Sequence, residues 1–290
     1  SLDVQSLSLK ASYQINDALS FNSRTILTDA SPSVFTEAAV GSISRDRQYD
    51  TFEQEFRLNY DTDNLRAVAG LFYTTIDEES ASVAFFPGQG TSSTFENIET
   101  ENHALFGELE YDFAPHWPVI AGLRYDVEEA SNVSQGVLAL LDGTVLGDQT
   151  SATNNTYEAF LPKLGAVYSF TDDVSLGVTY QRGYRAGGTG VTVNPFMTPT
   201  PFSFEPEFTD TLELAFRSQS ADGDRVFNAN VFYTDWTDQQ VVTERGPGDF
   251  VVSNAGSSKL WGAEINFRTS VTDQLPFLAS AAYLRTEYED

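Results

Sequence analysis

Cysteine is absent from this 290-residue chain, and methionine occurs once. Without cysteine there is no disulfide framework and no thiolate metal site. Positive charge is scarce: 16 Lys and Arg stand against 42 Asp and Glu, a formal net charge of -26. A nucleic-acid binder needs the opposite sign on its contact face, so no nucleic-acid partner is expected. Long apolar runs are missing too, and nothing reaches the ~20 residues of a membrane-spanning helix. The opening residues, SLDVQSLSLKASYQ, hold neither a basic segment nor an apolar one, so no targeting peptide is legible. The helical period of 3.6 is nearly absent. If this chain enters a membrane, it enters as strands. It starts and stops inside patterned sequence, which predicts a fragment.

What is present is a period of two. Leu105, Leu109, Tyr111 and Phe113 alternate with Glu108, Glu110 and Asp112. After the turn APHWP, Val119, Ala121, Leu123, Tyr125 and Val127 alternate with Arg124, Asp126 and Glu128. One face of this hairpin is apolar and the other is charged. The same arrangement recurs around the turns INDA, DTDN, TDD, ADGD and TDQLP. Six hairpins, or about twelve strands, are expected.

These turns are short and rich in Asp, Asn and Pro, which suit tight reversals. Between hairpins the expected links are long, at Thr28–Gln48, Glu78–Thr100, Glu129–Asn155, Ala186–Glu205 and Val241–Ser253, weighted toward Gly, Ser, Thr, Asn and Pro. A transmembrane barrel has this asymmetry, with short periplasmic turns and longer extracellular loops. Aromatic residues near the short turns, among them Tyr13, Tyr60, Phe113, Trp117 and Phe170, would form a belt at one interface. The soluble alternative makes them core. The expected fold is therefore all-β: an antiparallel transmembrane β-barrel portion of about 12 strands from a larger barrel.

The second face would line a wet lumen. Glu53, Glu55, Arg57 and Asn59 share one strand, Glu213 and Arg217 another, and Glu264, Asn266 and Arg268 a third. Burying so many charges in a dry core would cost several kcal/mol per unpaired ion. Glu108 and Glu110 are expected to face Arg124 across their hairpin as a lumen ion-pair ladder. With Glu213 and Glu264 they are the candidate structural residues of the lumen.

Several phrases are familiar in this order: FEQEFRLNY with AVAGLFY, ALFGELEYDF with VIAGLRYD, LPKLGAVYSFTDDVSLGVTYQRGYRAGG, FEPEFTDTLELAFRS with NANVFYTDWTDQQ, and SNAGSSKLWGAEINF. Collinear over essentially the whole chain, they resemble the barrel of TonB-dependent outer-membrane receptors. The resemblance implies about 22 strands closed around a plug. It also implies uptake of a scarce ligand, chiefly a ferric siderophore, in other branches haem, cobalamin or glycans. Energy would come through TonB by way of a plug domain these residues do not include. Location in a Gram-negative outer membrane, with lipid against the apolar face, is implied as well. Glu207, Glu213 and Glu264 fall where the family's strand motifs carry Glu.

The stretch YQRGYRAGGTG, Tyr180–Gly190, needs its own account. A P-loop requires G-x-x-x-x-G-K-[ST], but Gly183 leads to Gly188 and then Thr189, with no Lys. A dinucleotide fingerprint fails on spacing and on the missing helix. In the family this is where a strand emerges into an extracellular loop. Alternation turns Gln181, Gly183 and Arg185 toward the lumen, with Tyr180, Arg182 and Tyr184 on the other parity. Arg182 would sit at the headgroup level or twist inward. Arg182, Tyr184 and Arg185 are the candidate ligand contacts, since a guanidinium suits carboxylate or phosphate. The plainer role for Arg185 is an ion pair with a neighbouring carboxylate.

No catalytic constellation, cofactor or metal site is expected. His103 and His116, the only histidines, are placed at opposite ends of one strand, and no H-E-x-x-H or G-x-S-x-G occurs. Asp61/Asp63 and Asp222/Asp224 read as turn chemistry, with weak surface calcium binding left open. A passive porin, a soluble β-rich carbohydrate binder and an outer-membrane enzyme are the competing classes.

Overall fold

The computed structural model describes residues 1–38, 41–192, 200–246, 249–272 and 274–289. The elements in order are β1 (Leu2–Gln14), β2 (Leu19–Ala38), β3 (Gly41–Asp61), β4 (Leu65–Phe86), β5 (Gly90–Ala114) and β6 (Trp117–Leu140). They continue with β7 (Val145–Thr171), β8 (Val174–Arg185), β9 (Gly188–Thr192), β10 (Thr200–Phe204) and β11 (Glu207–Gln219). The last are β12 (Val226–Thr237), β13 (Gln240–Gly246), β14 (Asp249–Asn254), β15 (Ser257–Thr272) and β16 (Leu275–Glu289). Twelve form one antiparallel sheet in the order β1-β2-β3-β4-β5-β6-β7-β8-β11-β12-β15-β16. These are the twelve strands of the six expected hairpins. The β9–β10 and β13–β14 pairs are separate two-stranded sheets. The edge strands β1 and β16 do not pair with each other, so the sheet is open.

Side chains and special backbone geometry close the short turns. Asn16 Oδ1 accepts from the amides of Ala18 and Leu19, both at 3.0 Å. In the ADGD turn Asp222 Oδ1 accepts from the Asp224 amide at 3.0 Å, while Gly223 takes φ 71°. His116 supplies the left-handed residue of its turn at φ 70°. Asp273, in the TDQLP turn, lies outside the described residues.

The long links differ from expectation. Through most of Thr28–Gln48, Glu78–Thr100 and Glu129–Asn155 the strands simply continue, paired as far as Ala38–Gly41, Phe86–Gly90 and Ala139–Val145. Ala186–Glu205 contains the β9–β10 hairpin, and Val241–Ser253 lies within β13–β14. Residues 39–40, 193–199 and 247–248 of these links are outside the described set. Strand β5 alone has 25 residues. At roughly 3.3 Å per residue it spans about 80 Å. A tilted membrane crossing needs only about 9–11 residues. The excess is sheet beyond the length such a crossing would use. Without lipid to cover, it has no need to alternate apolar with polar, so its sequence carries a weak strand period.

Burial is inverted relative to a soluble sheet. The register places Ser80, Asn102, Asp126, Asn132, Ser134, Thr234 and Ser258 on the charged face, and all are buried. The few buried apolar wall residues, Ala104, Leu138 and Ala159, share that face. On the other face large apolar groups are exposed: Leu105 by 61%, Phe160 by 60% and Leu212 by 52%. In water an apolar surface of this extent would need a cover. A closed sandwich with its apolar face inward is not what the chain forms.

Candidate functional site

The charged face owes its cover to a parting of strands. Strands β7 and β8 pair only as far as Lys163–Gln181, above which β8 keeps only its β11 partner. Released from β7, the end of β8 leans across the charged face. Glu128, Tyr157 and Asp126, all on that face, come close enough to Tyr184 to act on it electrostatically. The chain continues into β9, which contacts β5, β6 and β7. Asn132 Nδ2 donates to the Thr189 carbonyl at 2.8 Å, and the Thr153 and Thr189 hydroxyls are 2.8 Å apart. The β9–β10 hairpin thus lies against the wall's polar surface.

The β13–β14 hairpin is bolted to its base. Gln240 and Asn254 are direct cross-strand partners. Gln240 Nε2 donates to the Ala186 carbonyl at 2.7 Å, and its amide donates to Glu207 Oε2 at 2.6 Å. Asn254 Nδ2 donates to the carbonyls of Glu205 at 2.9 Å and Asp238 at 2.7 Å, while its Oδ1 accepts from the Glu205 amide at 2.7 Å. Neither amide side chain stood out in the sequence. Their function follows from two hairpins meeting, which no local pattern encodes.

Of the candidate contacts, Arg182 and Tyr184 have turned inward with β8. The Arg182 guanidinium lies 4.6 Å from the Phe208 ring centroid, and the Tyr184 ring is 5.4 Å from the same ring. Arg182 Nε and the Tyr184 hydroxyl oxygen are buried with no hydrogen-bond partner. Arg185 is instead exposed to solvent, its side chain by 69%, with Nη1 3.6 Å from Oε1 of the buried Glu207, the ion pair with a neighbouring carboxylate that was its plainer expected role.

The expected ladder of Glu108 and Glu110 with Arg124 takes a different form. All three share the charged face, but Glu108 sits opposite Gly122, Glu110 opposite Ile120, and Arg124 opposite Phe106. Glu108 Oε2 is 2.8 Å from Lys163 Nζ, two strands away, and Glu110 pairs with Arg66 on β4. Arg124 folds back along its own strand onto Asp126 with two bonds of 2.7 Å. The cause is reach: a residue two positions along the strand is on the same face, and a guanidinium spans that gap. Glu55–Arg57 at 2.7 Å, Glu101–His103 at 2.8 Å and Arg285–Glu287 repeat the i, i+2 pairing. Glu213 is half-buried and Glu264 exposed, with β12 between their strands. His103 stands in the middle of the extended β5, not at a strand end, and His116 in the turn after it.

The wall is thus an extended antiparallel sheet, apolar on one face and charged on the other, the charged face partly covered by the β9–β10 hairpin. All 290 residues match the family model described as TonB dependent receptor-like, beta-barrel. The chain belongs to the TonB-dependent receptor-like β-barrel family. Similar solved structures include the ferric yersiniabactin uptake receptor FyuA from Yersinia pestis, at TM-score 0.84 and 20% identity over 99% of this chain and 43% of that one. The siderophore receptor PiuA from Acinetobacter baumannii matches at TM-score 0.71 and 15% identity, over 99% of this chain and 47% of that one. The copper transporter OprC matches at TM-score 0.78 and 14% identity, over 98% of this chain and 47% of that one. The receptor barrel described here spans less than half the length of these relatives. At these identities the likeness is one of fold. The family and these neighbours are receptors and transporters, not enzymes.

Proposed function

We propose that this barrel segment belongs to an outer-membrane receptor for active uptake of a scarce ligand, a ferric siderophore, energised through TonB. The observation that carries this is the inverted burial: a charged inner surface, partly covered by the β9–β10 hairpin, with the apolar surface left for lipid. FyuA and PiuA are named for siderophore uptake, which supports that ligand class, while OprC is named for copper. TonB would act through a plug domain encoded outside these 290 residues. Glu108, Glu110, Arg124, Glu213 and Glu264 would line the lumen around that plug. Arg185, the solvent-exposed candidate, would meet the ligand, and Arg182 and Tyr184 would shape the wall beneath it. A passive porin is not favoured, because the family model over the whole chain is that of the receptors.

The test is uptake of radiolabelled iron, offered as a panel of ferric siderophores, to a Gram-negative strain stripped of its own receptors. The complete gene is expressed with and without TonB. Accumulation that requires TonB is the expected result. Accumulation without TonB would mean a passive pore, and a gene product that is soluble without detergent would mean neither.

A further inference from the structure

The two faces of the wall divide its charges unequally. From β1 to β7 the register puts every Lys and Arg on the inner, charged face, from Lys10 and Arg24 in the row of Glu55 to Lys163 opposite Gly122. The face of Leu105 and Phe160 has none there, although it carries many carboxylates. Outward along the strands, Asp29, Asp50, Asp77 and Glu99 are direct partners in one row across β2, β3, β4 and β5. Charged side chains are costly against hydrocarbon, so lipid tails end before this row. Beyond it, this face meets only what projects from the lipid or arrives from outside.

There the outer face is hollowed. A depression of about 810 Å³ reaches from β1 to β6, within the ~300–1,000 Å³ of small-molecule sites. Among its lining residues, Gln48, Phe95, Asn97 and Gln135 share the parity of Leu105. Leu27 and Phe52 form the last apolar pair before the acids, and Gln48 lies about 13 Å past Phe52 at the rise of a strand. Gln48 Nε2 donates to Asp50 at 3.3 Å and Gln135 Nε2 to Asp148 at 2.9 Å, which leaves each amide oxygen to accept from elsewhere. Phe95 is 44% exposed. The one Lys or Arg in the lining, Arg47, has the inner parity and is held there by Tyr49 at 3.0 Å and Glu78 at 3.8 Å. Oriented amides beside an exposed ring suit the hydroxyls and C–H faces of a sugar. A phosphate would find carboxylates and no cationic side chain turned toward it.

We infer that this hollow docks the uncharged sugar chain of a glycolipid anchored in the outer leaflet beside the barrel, with Phe95 as its stacking surface and Gln48, Asn97 and Gln135 as its hydrogen-bonding groups. The anchor lies on the surface that the apolar rows already give to lipid, and the sugars rise past the acid row into the hollow. A plug would lie against the opposite face, and a strand added at the free edge of β1 would extend the wall sideways, so neither covers this surface. The inference rests on the outer-membrane reading, in taking the apolar face as lipid-covered.

The test is saturation-transfer NMR on the complete, detergent-solubilised receptor. The ligand is the core oligosaccharide of bacterial lipopolysaccharide, stripped of lipid by mild acid and of phosphate by hydrofluoric acid. Wild type transfers saturation to the sugar protons. Phe95→Ala and Gln135→Ala, each with the heat-modifiable gel migration of a folded barrel, weaken the transfer about fivefold or more. Phe250→Ala, which removes an exposed ring from β14, matches wild type. No transfer from wild type, or undiminished transfer from both hollow variants, overturns the inference. So does binding only of the phosphorylated oligosaccharide with calcium added, which would mean cation bridging by the acid row instead. If Gln135→Ala fails to fold, Phe95→Ala, at an exposed position, decides. A receptor that needs no detergent defeats the outer-membrane reading, whereas a detergent-dependent one that binds no sugar defeats this site alone.

Discussion

Phe106 occupies the space that a side chain at Gly70, its direct partner across β4–β5, would need. A Cβ on Gly70 would fall 2.8 Å from Phe106 Cε1 and 2.6 Å from the Phe56 carbonyl oxygen. The pairing recurs: Gly262 lies beside Phe232, Gly190 beside Phe202 and Gly188 beside Phe204, each pair in direct register. An aromatic laid across a glycine on the next strand restores packing that the glycine lacks. Gly70→Ala should therefore act by overpacking, costing about 1–3 kcal/mol. The check is a lower thermal midpoint in detergent. An unchanged midpoint would mean that the ring yields freely.

Asn254→Ala removes three hydrogen bonds that tie β13–β14 to Glu205 and Asp238. At about 0.5–1.5 kcal/mol each, their loss should lower amide protection at least tenfold. Hydrogen exchange should quicken in β9–β10 as well as β13–β14. Thr243→Ala, which removes only the 3.0 Å contact to Ser253 inside one hairpin, should affect β13–β14 alone. Independent responses to Asn254→Ala would show that the hairpins are not coupled.

Glu96, on the sheet beyond the membrane, has its carboxyl pKa raised by burial first and the Glu78 charge second, against the pull of Arg47, Ser134 and Arg45. Its protonated form is therefore favoured by folding. The stabilisation is fully present below the ordinary Glu range and is lost as pH rises through the raised value. Glu96→Gln should keep the β4–β5 extension equally resistant to proteolysis across pH 4–8, where wild type becomes more susceptible as pH rises. A parallel pH response in both proteins would rule out Glu96 as the source.

Asp224 behaves in the opposite sense. Its pKa is lowered chiefly by hydrogen bonding to Ser270, whose amide donates to Oδ2 at 3.0 Å, and Thr269 donates at 3.2 Å. The ionised form is favoured, so this tie between two neighbouring turns holds above the ordinary Asp range and is lost as pH falls through the depressed value. Asp224→Asn should loosen residues 269–270 at neutral pH, seen as faster amide exchange at Ser270, and should abolish the acid-induced change there. Identical exchange in the two proteins at neutral pH would mean that the bond carries no weight.

The membrane-crossing half of each strand was legible because lipid on one side and water on the other impose a period of two, as at Leu105, Leu109 and Tyr111 against Glu108 and Glu110. The outer halves were not, since in segments such as Gly90–Ile98 the covered positions Gly90 and Ser92 are small or polar, and no apolar stripe marks the face that is buried. For the site, parity put Glu108, Glu110 and Arg124 on one face correctly but could not choose their partners. That choice depends on stagger between strands far apart in sequence, as between Glu108 and Lys163. The inward turn of Arg182 was open for the same reason: it follows from where β7 and β8 cease to pair.

The ion pairs within single strands bear on how the wall is assembled. Arg57, Arg124 and Arg285 each carry a counterion two residues away on the same strand. A hairpin so equipped arrives already neutralised at those positions, and it need not wait for a distant strand before meeting the hydrocarbon edge. Strands that depend on a neighbour, such as β5 and β7 through Glu108 and Lys163, gain that neutrality only once the adjoining pieces are in place. The β5–β6 hairpin has both kinds, Arg124 neutralised on its own strand and Glu108 only by Lys163 of the next hairpin, so its charges are fully balanced only in the assembled wall.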